Sequence, residues 1–194
     1  APMSTHILPG LVDVHVHLRH PGGAHKETFA TGTAAALAGG VTAVLGMPNT
    51  QPPLVDGAAL DDALAAAGRE ARCDVGLYLG AADGNAGAAR AAADRAAGLK
   101  VYLNDTFGRL RIETLAALRP YVETWPTGRP IVFHAEDLNV ATALGLGRTY
   151  GHWVHIAHVS RAEEIRLIAA AKSAGLSVTC EVAPHHLFLS TDDL

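Results

Sequence analysis

The stretch from Val12 to Arg19 reads Val-Asp-Val-His-Val-His-Leu-Arg. Side chains alternate faces along an extended chain, so Asp13, His15, His17 and Arg19 are expected on one side and the aliphatics on the other. Two imidazoles at i and i+2 on one strand face can hold a cation; the same spacing also suits a pair of hydrogen-bonded structural histidines. Recurrence favours the first reading. Two further apolar runs end on an imidazole, "PIVFH" at His134 and "VHIAH" at His158. Lys100 stands in "GLKVYL", where a bare ammonium would be costly to bury and worse beside cations. A neutral lysine amine can instead take up carbon dioxide and become a carbamate, an oxygen ligand able to bridge two metals. Imidazole and carboxylate oxygen suit zinc. Two close zinc ions can activate water and polarise a carbonyl, so the chemistry expected is hydrolysis at a carbonyl carbon, or its reverse.

The other ionisable groups divide by position. Asp13 is expected to orient an imidazole through its free N–H, or to serve as a plain structural acceptor. His155 has the opposite parity to His158 and is expected to face outward. His6, His25 and His152 fall in expected loops in contact with solvent. His20 follows the first strand beside the pocket. Of His185 and His186, one faces the site or both are structural.

These residues need elements to position them. Short β-branched runs at 11–17, 41–47, 75–80, 99–103, 131–134, 154–158 and 178–182 predict strands. Helices are expected near 28–38, 57–71, 85–97, 111–122, 137–147 and 161–174, with Asp56 or Gly57 opening the second and Gly175 closing the last. Alternating strands and helices imply an α/β fold with parallel strands. The loop "LRHPGGAHKE" after the first strand is not the G-x-G-x-x-G of a dinucleotide-binding sheet. His15, His17, Asn49, Lys100, His134 and His158 instead gather at strand ends, the habit of a (β/α)8 TIM-type barrel. A complete barrel takes roughly 250 residues. The expectation for 194 residues is therefore one hydrolase domain over 1–194, an incomplete barrel of about seven strands truncated at its C-terminus.

Composition agrees and excludes other classes. The chain is 49% hydrophobic and only 5% aromatic, enough for a core of small aliphatics. A net charge of −4 gives no nucleic-acid footprint. No apolar run reaches the roughly 18 residues of a membrane span. The first ten residues lack the features of a signal peptide. Two distant cysteines offer no disulfide framework, so the cytoplasm is the expected compartment. Eleven histidines are about twice ordinary usage and ask for a reason.

The segments "LPGLVDVHVHLRHPGG", "MPNTQPP", "GLKVYLN", "HAE", "HVSRAEEI" and "TCEVAPHHLFLS" occur in that order. Together they resemble the dihydroorotases of the amidohydrolase superfamily, in particular the animal-type domain of multifunctional pyrimidine-synthesis enzymes. The resemblance implies reversible cyclisation of N-carbamoyl-L-aspartate to dihydroorotate. It makes His15 and His17 ligands of a first zinc, His134 and His158 ligands of a second, and Lys100 the carboxylated bridge. Arg19 and Asn49 would hold the substrate carboxylate, with Thr106 and Phe107 on a loop that closes over it. Glu181 matches a position linked to a third zinc, although Ala157 stands where that pattern has cysteine. His20 stands where it has glutamate. The family's strand-eight aspartate, a metal ligand and proton shuttle, is expected beyond Leu194, so the segment alone is expected to be inactive. The implied partners are a small-molecule substrate, a second copy of the chain and further domains of a multifunctional enzyme. Rival readings are a related cyclic-amide hydrolase, such as an allantoinase or dihydropyrimidinase, and a non-catalytic scaffold of aspartate transcarbamoylase.

Overall fold

The computed structural model describes residues 6–106, 108 and 110–193. The elements run β1 (Leu11–Val16), α1 (Phe29–Ala38), β2 (Val41–Gly46), α2 (Gly57–Glu70), β3 (Asp74–Leu77), β4 (Leu79–Gly80) and α3 (Ala86–Ala92). They continue with β5 (Leu99–Tyr102), α4 (Leu115–Thr124), β6 (Ile131–His134), α5 (Leu138–Tyr150), β7 (Val154–Ile156), α6 (Ala162–Ser173), β8 (Val178–Cys180) and α7 (His185–Phe188). All the strand pairs are parallel and follow chain order, β1-β2-β3 and then β4-β5-β6-β7-β8. Parallel neighbours in sequential order, joined through helices, are the wall of a (β/α) barrel.

The run expected at 75–80 changes partner in its middle. Residues up to Leu77 pair with β2, and Leu79 and Gly80 pair with β5. Tyr78 N donates to Gly46 O and Leu79 N to Gly98 O, each at 3.0 Å. β3 and β4 are thus two halves of one barrel strand, and the short helical region after them is α3 followed by a 3-10 turn, Ala93–Arg95.

Alternation along the strands sorts the core into two layers. Leu99, Val101, Ile131, Phe133, Val154 and Ile156 point to the helices and are almost fully buried. Met47, Tyr78, Val132 and Ala157 pack on one another inside the barrel. Helices α2 and α4 start where the sequence supplies caps. Asp56 accepts from Ala59 N at 2.8 Å and Thr114 from Ala117 N at 3.2 Å. Gly175, at φ 84, takes the left-handed turn after α6. Among the described residues no helix is long and apolar enough to cross a membrane.

Three expectations about histidines need correction. His155 pairs in register with Val132 and Thr179 and faces the barrel interior, not the helices. The alternation stops short of His158, because β7 ends at Ile156 and His158 has φ 37, which turns its side chain out of the strand's pattern. His152 is 2% exposed, with Nε2 at 2.7 Å from Val122 O, and is not solvated. His20 lies against Phe29, ring centroids 5.0 Å apart, and is not among the residues lining the barrel-mouth cavities.

Candidate metal centre

Because the strands are parallel, their C-terminal ends open on one face of the barrel. His15 lies in β1, with His17 just past its end. Lys100 lies in β5. His134 is the last residue of β6, His158 comes two residues after β7, and Glu181 directly follows β8. Their rings meet there. Centroids of His15 and His17 are 5.3 Å apart, of His15 and His158 5.5 Å, and of His134 and His158 4.6 Å. His134 Nδ1 lies 2.8 Å from His158 Nε2. All four imidazoles line one cavity of about 540 Å³, with Asp13, Glu136, Ser160, Glu181, His185 and His186 among its other walls.

Lys100 is 1% exposed and its Nζ has no hydrogen-bond partner. Its nitrogen sits 5.3 Å from the centre of the Tyr102 ring. Burial brings the amine's pKa down to about 7, with the Glu181 carboxylate opposing the shift. Burial likewise lowers His17 to about 4, helped by His15, Arg19 and Lys100. Burial and Lys100 lower His158 to about 4, and the same two causes lower His134. Each of these shifts favours the neutral imidazole, the form that can bind a cation. His134 Nε2 is a further buried nitrogen without a hydrogen bond.

Glu181 is the hub of the opposite wall. His15 Nδ1 and Glu181 Oε1 share a short hydrogen bond, His155 Nε2 lies 3.0 Å from Oε2, and His158 N donates to Oε1 at 3.3 Å. Burial alone would raise the carboxyl's pKa, but the hydrogen bonds from His15 and His155 outweigh it and hold the group well below the usual carboxylate range. His155 is in turn 2.8 Å from Thr179 Oγ1 through Nδ1. Asp13 does not orient the ring of His15: its carboxylate accepts the main-chain N–H of His15 at 3.0 Å. His155 was missed in sequence, although Thr179 and Glu181, two residues apart on the neighbouring strand, mark a polar interior face.

Among the described residues no three His, Cys, Asp or Glu side chains stand as a cation would need them. The ring nitrogens are turned on one another and on Glu181. Yet the donor set suits a transition metal, and two buried nitrogens without a hydrogen bond belong to this cluster, Lys100 Nζ and His134 Nε2, the latter 3.9 Å from Glu136 Oε1. The residues therefore fit a metal group, with Lys100 needing conversion to an oxygen ligand to join it.

Arg19 and Asn49 come together in an adjoining cavity of about 290 Å³, which Gly22, His25, Lys26 and Thr50 also line. Arg19 has φ 57, a conformation L residues seldom adopt. Asn49 is 8% exposed, with Oδ1 buried and unpartnered. Thr106 is half-buried in the segment after β5, whose base is closed by an Arg111–Asp105 ion pair at 2.5 Å. It is not among the residues lining either cavity. Phe107 lies outside the described residues.

The family described as Dihydro-orotase-like matches residues 4–118. The chain belongs to the dihydroorotase-like family. Within it, the chain is 54% identical over 205 residues to the multifunctional protein CAD of Squalus acanthias, covering all of this chain and 9% of that protein. It is 35% identical to a dihydroorotase of Halobacterium salinarum, covering 97% of this chain and 50% of the other. An allantoinase of Rubrobacter xylanophilus is 34% identical, with 96% and 49% covered. The dihydroorotase-like chain thus spans about half the length of the single-named relatives it matches. Among solved structures, the L-hydantoinase of Arthrobacter aurescens superposes with TM-score 0.87 at 26% identity, covering 95% of this chain and 49% of that one. The inactive dihydroorotase-like domain of a Chaetomium thermophilum CAD-like multifunctional protein gives 0.83 at 26% identity, with 96% and 55% covered.

Proposed function

We propose that the protein is a dihydroorotase, interconverting N-carbamoyl-L-aspartate and dihydroorotate, and that this segment supplies most of its metal and substrate ligands. The observation that carries the reading is Lys100: an amine 1% exposed, without a hydrogen-bond partner, in a cluster with His17, His134 and His158. With its pKa near 7, the amine is substantially unprotonated at neutral pH. Its nitrogen can then attack carbon dioxide, forming an N–C bond and releasing a proton to solvent. The product is a carbamate with two ligand oxygens. His15 and His17 would hold one zinc ion and His134 and His158 the other, with the carbamate shared between them. Two zinc ions, when bound there, would supply Lewis acidity toward a carbonyl oxygen and a water acidic enough to act as nucleophile.

The remaining roles belong to the chain itself. The Arg19 guanidinium would take the substrate carboxylate in a forked pair of hydrogen bonds, with the Asn49 amide as a further donor. Thr106 and Phe107 would close over the ring and exclude water. We assign Glu181 to holding His15 by its Nδ1, since its carboxylate is already engaged by His15 and His155. With Ala157 where the animal-type pattern has cysteine, a third zinc beside Glu181 is the weaker assignment.

The likeness to proteins named multifunctional supports placing this domain among others in one polypeptide. The likeness to an inactive domain favours a second reading, a scaffold without turnover. The five nitrogen side chains His15, His17, Lys100, His134 and His158 speak against it. One set of assays tests both: turnover of dihydroorotate, allantoin and dihydrouracil by the full-length protein and by its Lys100→Ala and Arg19→Gln variants. The expected result is turnover of dihydroorotate above the other two, lost in Lys100→Ala, and a raised KM in Arg19→Gln. No turnover of any of them by the wild type would favour the scaffold.

A further inference from the structure

The turn after β6 presents two consecutive amides to side chains from two other elements. Glu136 N donates to Asn104 Oδ1 at 2.9 Å, and Asp137 N donates to Glu164 Oε1 at 2.7 Å. Asn104 stands in the segment after β5 and also accepts from Asn139 Nδ2 at 3.0 Å. Glu164 stands in the first turn of α6 and is 4% exposed. Its second oxygen accepts from Ser160 N at 3.4 Å and Arg161 N at 3.3 Å. One carboxylate therefore ties the chain three residues past His134 to the chain two and three residues past His158.

Helix capping explains only part of this. The bond from Arg161 N is the local one that a glutamate at the third helical position makes. The bond from Asp137 N comes from 27 residues away and does nothing for α6. Both of the segments joined also have unusual backbone. Asp137 has φ 54 and ψ −124, and His158 has φ 37. L residues hold such conformations only where the surroundings over-determine them. A buried carboxylate is expensive unless its oxygens are engaged, and here both accept from main-chain amides of those segments.

Resting on the metal-centre reading above, we propose that Glu164, with Asn104 on the opposite side, is a positioning residue. It fixes the spacing and orientation of His134 and His158 and so sets the geometry of the second cation. Glu164 acts through the two loops and needs no contact with the ion.

The test is a zinc titration of the full-length protein against a chromophoric chelator, paired with the cobalt(II) absorption spectrum of each variant. Glu164→Ala should keep one equivalent at wild-type affinity and bind the other about tenfold or more weakly, with an altered cobalt spectrum. Glu164→Gln, which keeps an acceptor for Asp137 N, should recover part of that loss. Asn104→Ala should weaken the same equivalent. Glu163→Gln, exposed in the same helical turn, should match wild type throughout. Two equivalents bound as in wild type by Glu164→Ala, or both weakened alike, would overturn the proposal. Should Glu164→Ala not fold, unchanged second-site affinity in Glu164→Gln and Asn104→Ala overturns it. A wild type that binds fewer than two equivalents would instead sink the metal-centre reading, and this inference with it.

Discussion

Lys100 shows how a single side chain can announce a site. An amine inside an apolar run was legible in the sequence, because no ordinary packing role accounts for it. Its consequence for stability can be worked out from the shift alone. The unfolded chain holds the lysine proton up to about 10.5, and the folded chain releases it near 7. Between those values the unfolded state binds more protons, so stability rises with pH, and the full burial penalty remains below about 7. In metal-free protein in buffer depleted of carbon dioxide, the melting temperature should climb through that window. Lys100→Met should remove the slope, which a pH series of thermal melts will read; a parallel slope in the variant would contradict the assignment. His155 and Asp13 were harder to read. Parity carries a prediction only as far as the extended backbone does, and His158 lies beyond the end of β7 with φ 37. The hydrogen bonds of Glu164 and Asn104 join loops far apart in the chain and leave no periodic trace in it.

At the scale of elements, the caps and periodicities placed most helices and strands, because they are local. Asp56 and Gly175 did what their residue types predict. The change of partner at Tyr78 was not legible, since it depends on where β2 and β5 lie. Close packing between elements is equally non-local, and α5 against β7 gives a paired test. A methyl group at Gly147 would come within 2.3 Å of Val154 Cγ2, whereas one at Gly145 meets nothing within 4 Å. Gly147→Ala should therefore destabilise by about 1–3 kcal/mol despite alanine's better helix propensity. Gly145→Ala should stabilise by roughly 0.5–1 kcal/mol. Denaturant midpoints of the two variants check this; equal effects would mean that α5 does not seat on β7 as described.

For the whole molecule, sequential parallel strands make both a packed wall and a polar rim of imidazoles from one alternation. Residues between the inward ones build the layer under the helices. Phe133, 0% exposed and next to His134 in β6, should cost about 3–5 kcal/mol as Phe133→Ala. Leu115→Ala, at a position 64% exposed, should stay within about 0.5 kcal/mol. The fold class was legible because each strand and helix is spelled out in order. The candidate site was legible because its imidazoles and Lys100 cluster at strand ends, while the connections that orient them were not. The most direct test of the account is a crystal structure of the protein grown with zinc, with anomalous scattering recorded above the zinc edge. The account predicts two peaks, one at His15 and His17 and one at His134 and His158, with extra density continuing from Lys100 Nζ toward both. A Lys100 nitrogen without added density, or zinc bound away from these imidazoles, would contradict it.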